Sequence, residues 1–415
     1  MIPRILLVDG KERGHYYREL CASLDAVWYK TTTPELLEQA QKVIDIALIS
    51  DEYCSPFSSV ICQLVQQNIP TLHIIDGIAE WRNTWENPRS LNEEAGAPLF
   101  QPILCHKIAC LGRSQARLFE AWGNLGKCEV VGAPRFDQLV GLKPRQCKKD
   151  QLFRILVMTA KTPGFTDEQV KKVKESLLDL KTWFEFHSKE FGVVITPIWR
   201  VNPDLAEELE LSSSITDLTG QELAVVLQEV DAVITTPSTA MLEAMLCGLP
   251  TALLDYTNSP KFISPIWSIT SSSHIGPTIS ELVHPSPPKI LHQNIILHDA
   301  LECLTPATPR LIKLIETMVE IGRETRTKSI PLRFPTRILV DEQNGHHLPE
   351  EQFNLQTLYP NHPVFANMDT VVLQTEIIHL RKQIICLNDI ITRLLKEGKL
   401  WKVWIALRYL KNHIA

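Results

Sequence analysis

The chain opens on a short apolar run, Ile5-Leu-Leu-Val8, that ends in Asp9-Gly10. A continuous apolar run bounded by turn residues is how a strand buried on both faces of a parallel sheet reads. Similar runs recur at 44–49, 71–75, 107–111 and 128–131, with helical periodicity between them, as at 16–24. At 141–151 the pattern breaks. Gly141, Pro144 and the basic residues Lys143, Arg145, Lys148 and Lys149 have the composition of an exposed linker. Alternation then resumes, with strands expected at 153–159, 192–198, 232–235 and 251–255 and helices at 168–186, 220–229 and 239–247. Thr219-Gly-Gln-Glu222 suits a capping box for the second of these helices. The pattern predicts an α/β protein of two Rossmann-like parallel-sheet domains, 1–140 and 152–328, facing a cleft that is the natural ligand site.

Beyond 328 the text changes. Residues 329–368 are rich in Pro, His and Asn and read as an irregular connection. Residues 369–415 are expected to be a C-terminal helical appendage, with apolar residues at helical spacing from Val372 to Leu395. From Arg381 onward eight Lys or Arg face two Asp or Glu, opposite in sign to the chain's net charge of -6. Trp401, Trp404 and Tyr409 beside these cations fit a peripheral helix on an anionic membrane surface. A homodimer contact, or packing on the chain's own core, fits equally.

Length and composition narrow the class. A chain of 415 residues, 44% apolar and 22% charged, suits two globular domains. Its net charge gives no pull toward nucleic acid. The ten cysteines are scattered with no Cys-x-x-Cys pair, which fits reduced thiols in the cytoplasm rather than a disulfide framework or a zinc site. Met1 leads almost directly into a strand, so no signal peptide is expected, and no uncharged apolar run is long enough to span a bilayer.

The richest stretch for chemistry runs from Asp231 to Asp255. A strand ends at Thr235, and Thr236, Pro237, Ser238 and Thr239 form the turn into a helix. Free N–H groups, hydroxyls and the positive helix end would then converge on one point, an anion site suited to a diphosphate. Glu243, one turn on, would accept hydrogen bonds from ribose hydroxyls. The same residues also describe an ordinary capped helix. Arg200 and then Lys161 are the candidate cations at second-domain strand ends, and either is equally readable as a solvated loop charge. No Asp-x-Asp occurs anywhere, so no metal cofactor is expected to bridge the diphosphate.

Base candidates sit after first-domain strands. Asp76 is the first choice, with Asp9 and His15 behind it, while Asp51 and Glu52 follow another strand; Asp76-Gly77 is also readable as a plain turn. His73 lies inside an apolar strand and reads as a core histidine. The loop Trp81-Arg-Asn-Thr-Trp-Glu-Asn-Pro-Arg89 brings Trp81, Arg82, Trp85, Glu86 and Arg89 together, which suits an acceptor sugar or a domain-packing loop equally.

Four segments in order carry a family resemblance: Asn68 to Gly77, Lys107 to Gly112 with Val131-Gly-Ala-Pro-Arg-Phe-Asp137, Ile198 to Pro203, and Asp231 to Asp255. Together they resemble the CDP-glycerol glycerophosphotransferases and capsule-polysaccharide transferases, which have the GT-B fold. The resemblance covers about 68–256. It implies a GT-B glycosyltransferase taking a nucleotide-sugar donor and a glycan or lipid-linked acceptor in surface polysaccharide synthesis. Two departures matter. Asp76 stands where that family has the His of Gln-His-Gly, and Asn202 where it has the His of His-Pro. These favour sugar transfer over polyol-phosphate transfer. A nucleotide-sugar 2-epimerase-like isomerase and a non-catalytic nucleotide-binding scaffold are the other readings, the first disfavoured because Ser238 to Glu243 lacks the epimerase turn's glycines and paired acid.

Overall fold

The computed structural model describes residues 2–8, 17–31, 44–50, 57–88, 99–142, 152–211 and 223–340. Asp9, His15, Asp51, Glu52, Arg89, linker residues 143–151, the capping box at 219–222 and the segment 341–415 lie outside the described residues.

The first sheet holds β1 (Arg4–Val8), β2 (Val27–Thr31), β3 (Ile46–Ile49), β4 (Thr71–Ile74), β5 (Lys107–Cys110) and β6 (Cys128–Val130). Its order is β2-β1-β3-β4-β5-β6, all parallel. The second holds β7 (Leu152–Met158), β8 (Val194–Arg200), β9 (Ala232–Thr235), β10 (Thr251–Leu254) and β11 (Trp267–Ile269). Its order is β11-β10-β9-β7-β8, again all parallel. The helices are α1 (Arg18–Ser23), α2 (Phe57–Gln66), α3 (Arg113–Phe119), α4 (Asp167–His187), α5 (Pro203–Glu208), α6 (Leu223–Leu227), α7 (Ala240–Leu246), α8 (Ile275–Val283), α9 (Pro287–Ala300) and α10 (Ala307–Lys328). Strands β3, β9 and β10 are buried at every residue, as their unbroken apolar sequences require. The two strands that the pattern misses, β2 and β11, sit at sheet edges, where Lys30 and Ser268 dilute the apolar signal.

Strand order reverses between β1 and β3 and again between β7 and β9. At such points the flanking loops part, leaving a crevice outside the carboxyl ends of the strands. In the second sheet that crevice is framed by Met158, Arg200 and Thr235, which lie in register at the ends of β7, β8 and β9. One apolar cluster runs through both units, from Val8, Ile49 and Ile108 to Met158, Met241 and Leu253.

The sequence division at 328 groups α10 with the second half, but its buried face lies on the first sheet. Leu311, Leu314, Ile315, Met318 and Val319 pack against Ile5, Leu20, Ile46 and Leu72. Each such side chain stabilises by roughly 1.5–3 kcal/mol when fully buried. Asp45 adds a polar anchor, accepting from Arg323 at 2.7 Å and Arg326 at 2.9 Å. Further on, buried Lys107 meets Glu129 at 2.7 Å and donates to the Pro335 carbonyl, while Glu129 accepts from the Ile338 and Leu339 amides.

The crossing back explains Gly112 and the glycine and acid of the segment 131–137. Residues 300–302 pass so close to the ends of β5 and β6 that a Cβ on Gly112 would lie 2.4 Å from the Ala300 carbonyl carbon, and one on Gly132 2.5 Å from the Glu302 oxygen. Gly132 also holds φ +93°, a conformation that L side chains rarely adopt. Asp137 then accepts from the Ala307 and Thr308 amides at 2.6 and 2.8 Å, which caps α10 from another part of the chain. Gly132→Ala is accordingly expected to destabilise the protein by about 3 kcal/mol through strain and overpacking. Urea denaturation checks this; an unchanged midpoint would show that the crossing segment shifts freely.

Candidate functional site

The two sheets meet through their strand-end turns. The Ile78 amide donates to Thr239 Oγ1 across the units at 3.0 Å. Gly77 permits that approach, since a Cβ there would sit 2.7 Å from the same oxygen. Gln115 steadies the turn: its Nε2 donates to the Gly77 carbonyl at 3.0 Å while its Oε1 accepts from the Leu111 amide at 2.8 Å.

Around this joint the structure gathers charge. Arg135, on the 3-10 turn Pro134–Leu139, reaches over to Glu243 of α7 with Nη1 3.1 Å from Oε1. Its Nη2 donates to the Asp76 carbonyl at 3.1 Å, and its guanidinium lies 4.2 Å over the Phe136 ring. Burial pushes the Glu243 carboxyl above the ordinary glutamate range; Arg135 and then Arg200 pull it back without cancelling the rise. Arg200 Nε is buried and has no hydrogen-bond partner among the described residues. Asp76 lines a recess at the first sheet's strand ends together with Tyr17, Ser50, Pro134 and Arg135. The arrangement thus sets Glu243 and Arg200 of one unit across a joint from Asp76 and Arg135 of the other.

The hydroxyls after β9 divide differently from the sequence expectation. Thr236 is fully buried and its Oγ1 accepts from the Ala160 amide at 2.8 Å, so it faces no ligand. Thr239 makes the joint to Ile78. Ser238 Oγ alone of the three has no hydrogen-bond partner among the described residues. Helix α7 has seven residues, so the helix end is a modest attraction and the cations carry the electrostatics. Lys161 is exposed on the loop after β7, where its carbonyl accepts from Asn202 Nδ2 at 3.2 Å. Asn202 itself caps α5, accepting from the Asp204 and Leu205 amides at 3.0 and 3.4 Å. That is a structural task for a residue that the resemblance aligned with a histidine.

The loop expected to hold an acceptor is a packing bridge over its first part. Trp81 and Arg82 are 1% and 2% exposed, so neither offers a face to a sugar. Trp81 lies 6.0 Å from Phe262 of the second unit, and its Nε1 donates to Glu86. Glu86 in turn accepts from Gln169 of α4 at 2.7 Å. Trp85 packs edge-on against Trp122. Burial, offset in part by Arg82, also pushes the Glu80 carboxyl up.

The residue that sequence reasoning left out of the site is Arg135. Its signal was present, as the arginine of the Gly132-Ala-Pro-Arg135 segment, but only the fold carries it to a glutamate 108 positions away. Tyr17 and Ser50 left no comparable trace.

No family model matches the sequence, and no curated protein matches it. Solved structures do resemble it. A variant of the wall teichoic acid polymerase TagF is 12% identical with a TM-score of 0.51, covering 78% of this chain and 90% of its own. A second TagF variant is 11% identical with a TM-score of 0.50, covering 77% and 89%. The chain has the GT-B fold. The UDP-GlcNAc 2-epimerase of Neisseria meningitidis, bound to UDP-GlcNAc, is 12% identical with a TM-score of 0.48 over 76% of this chain and all of its own. At these identities the likeness concerns the fold and not the reaction. Among the described residues no helix is long and apolar enough to cross a membrane.

The raised Glu243 carboxyl makes a stability prediction with a definite sign. A folded pKa above the unfolded value of about 4.3 means that the native state takes up a proton between the two. That contribution is present in full at low pH and is lost as pH rises through the folded value. Glu243→Gln, which keeps an acceptor for Arg135, is expected to melt higher than wild type above pH 7, with the gap closing toward pH 4.5. Melting temperatures across that range test it; a gap independent of pH would show that Glu243 does not titrate this way.

Proposed function

We propose that this chain is a GT-B glycosyltransferase that moves a sugar from a nucleotide-activated donor to a hydroxyl of a glycan or lipid-linked acceptor. The observation that carries the reading is the Asp76–Arg135–Glu243–Arg200 cluster at the joint of two parallel sheets, where each unit presents strand ends to the other. Arg200 and Ser238, both with unused donors, suit the donor diphosphate, and Glu243 suits the ribose hydroxyls. As the bond to the sugar breaks, negative charge grows on the leaving phosphate. Arg200 and Arg135 meet it in place of a metal, in a setting where burial strengthens each interaction. Asp76 is the base: its recess admits the acceptor hydroxyl, and its carboxylate removes the proton as oxygen attacks the anomeric carbon. Surface polysaccharide synthesis is the setting we infer, with the basic C-terminal segment touching the membrane that carries the acceptor and the chain in the cytoplasm. A homodimer is compatible with this reading.

Calorimetry with UDP, GDP, CDP, CMP and dTDP tests the donor side. One nucleotide is expected to bind, and Arg200→Ala to weaken it about 10- to 100-fold, the scale of a charge-assisted hydrogen bond. Glu243→Ala is expected to weaken the nucleotide but not inorganic pyrophosphate, because the ribose contact is lost while the cations remain. Unchanged nucleotide affinity in Glu243→Ala would overturn the assignment. On the acceptor side, Asp76→Asn is expected to keep nucleotide affinity and lower transfer about 10²- to 10⁴-fold. Conversion of a nucleotide-sugar without any acceptor would instead point to an isomerase, and binding without turnover to a scaffold.

A further inference from the structure

A second pocket between the units shares no residue with the Asp76 recess, and none of Arg135, Arg200 or Glu243 lines it. Its walls come from both units: Trp81 and Arg82 after β4, Met241 on α7, and Asp255, Lys261 and Phe262 after β10.

Arg82 is the anomaly there. It is 2% exposed. Glu80 takes one edge of its guanidinium, accepting from Nε at 2.6 Å and pairing with Nη2. Nη1 is buried with no hydrogen-bond partner among the described residues. A buried charged donor without an acceptor is costly and calls for an absent ligand or water as its explanation. The second cation is Lys261, whose Nζ lies 3.1 Å from the Asp255 carboxylate and donates to the Ser259 carbonyl at 3.0 Å. An ammonium has three donors, so one is left. Asp255 is further engaged by the Thr257 amide and hydroxyl at 3.2 and 2.5 Å. The carboxylates of the pocket are therefore occupied, while donors remain on both cations.

The group that these donors suit is an acceptor with little charge. A dianion such as phosphate would face Glu80 and Asp255, whereas a carboxylate brings one negative charge and a flat shape that matches a guanidinium edge. Phe262, partly exposed, supplies apolar contact for the rest of a small molecule. We propose that this pocket binds a small carboxylate-bearing molecule, its carboxylate between Arg82 Nη1 and Lys261 Nζ. Its lining includes none of the donor and acceptor residues assigned above, although Pro237 and Ile78 of its wall adjoin Ser238 and the joint to Thr239.

The test uses the full chain without nucleotide. Melting temperature and calorimetry are recorded with acetate and D-glycerate, with their neutral counterparts acetamide and glycerol, and with inorganic phosphate, all at equal ionic strength. One or both carboxylates are expected to stabilise the protein while the neutral compounds and phosphate do not. Lys261→Met, which also takes the cation from the buried Asp255 carboxylate, is expected to lower the unliganded melting temperature and, separately, to weaken the binding read by calorimetry about tenfold. Arg82→Lys, which keeps the charge and loses the fork, is expected to weaken it further. No response to either carboxylate, an equal response to the neutral compounds or to phosphate, or binding unchanged in both variants would overturn the proposal. Because no nucleotide is present, failure here is distinct from failure of the transferase reading.

Discussion

The site depends on a close backbone approach between two turns, one at the end of β4 and one at the start of α7. The Ile78 amide and the Thr239 hydroxyl meet there, and Gly77 leaves the room for them. Parallel sheets have distinct ends, and their ligand-binding loops gather at the carboxyl ends. Joining two sheets at those ends therefore puts both sets of loops around one place. Arg135, Glu243, Asp76 and Arg200 are neighbours because this joint exists; in either unit alone the cluster would be half made.

The joint is held from a distance as well. The chain leaves the second unit after α9, crosses Gly112 and Gly132, takes its cap from Asp137 and lays α10 on the first sheet. The segment that supplies Arg135 thus also receives the returning chain. Arg113 with Glu302 and Arg117 with Asp299 tie the same crossing from the α3 side. Loosening of the crossing would move Arg135 relative to Glu243, so packing far from the charges governs their geometry.

Electrostatics at the joint are set by burial more than by pairing. Glu243 stands beside two arginines, yet its carboxyl is raised, because removal from water outweighs their attraction. Glu80 behaves the same way beside Arg82. Charges kept under such conditions cost stability, and the donors left over at Arg200 and Arg82 are consistent with groups held ready for ligands rather than for the fold.

Much of the architecture could be read from the chain alone. Unbroken apolar runs marked the central strands because those strands are buried on both faces, and helical periodicity marked α4 because one of its faces meets a sheet. The edge strands β2 and β11 were not legible, since an exposed edge tolerates polar residues. Glu243, Arg200 and Asp76 were legible as chemistry at strand ends. That Thr236 is locked on Ala160, that Asn202 is a helix cap, and that Trp81 and Arg82 are interior residues were not, because hydrogen-bond partners and burial arise from segments far apart in sequence. Local pattern determined the sheets, their parallel sense and the loops that bear the chemistry, because periodicity and turn chemistry act over a few residues. Only the tertiary structure decided that Arg135 joins Glu243, that α10 returns to the first sheet and that Arg82 Nη1 has no acceptor among the described residues, because each follows from contacts whose partners the chain brings together only on folding.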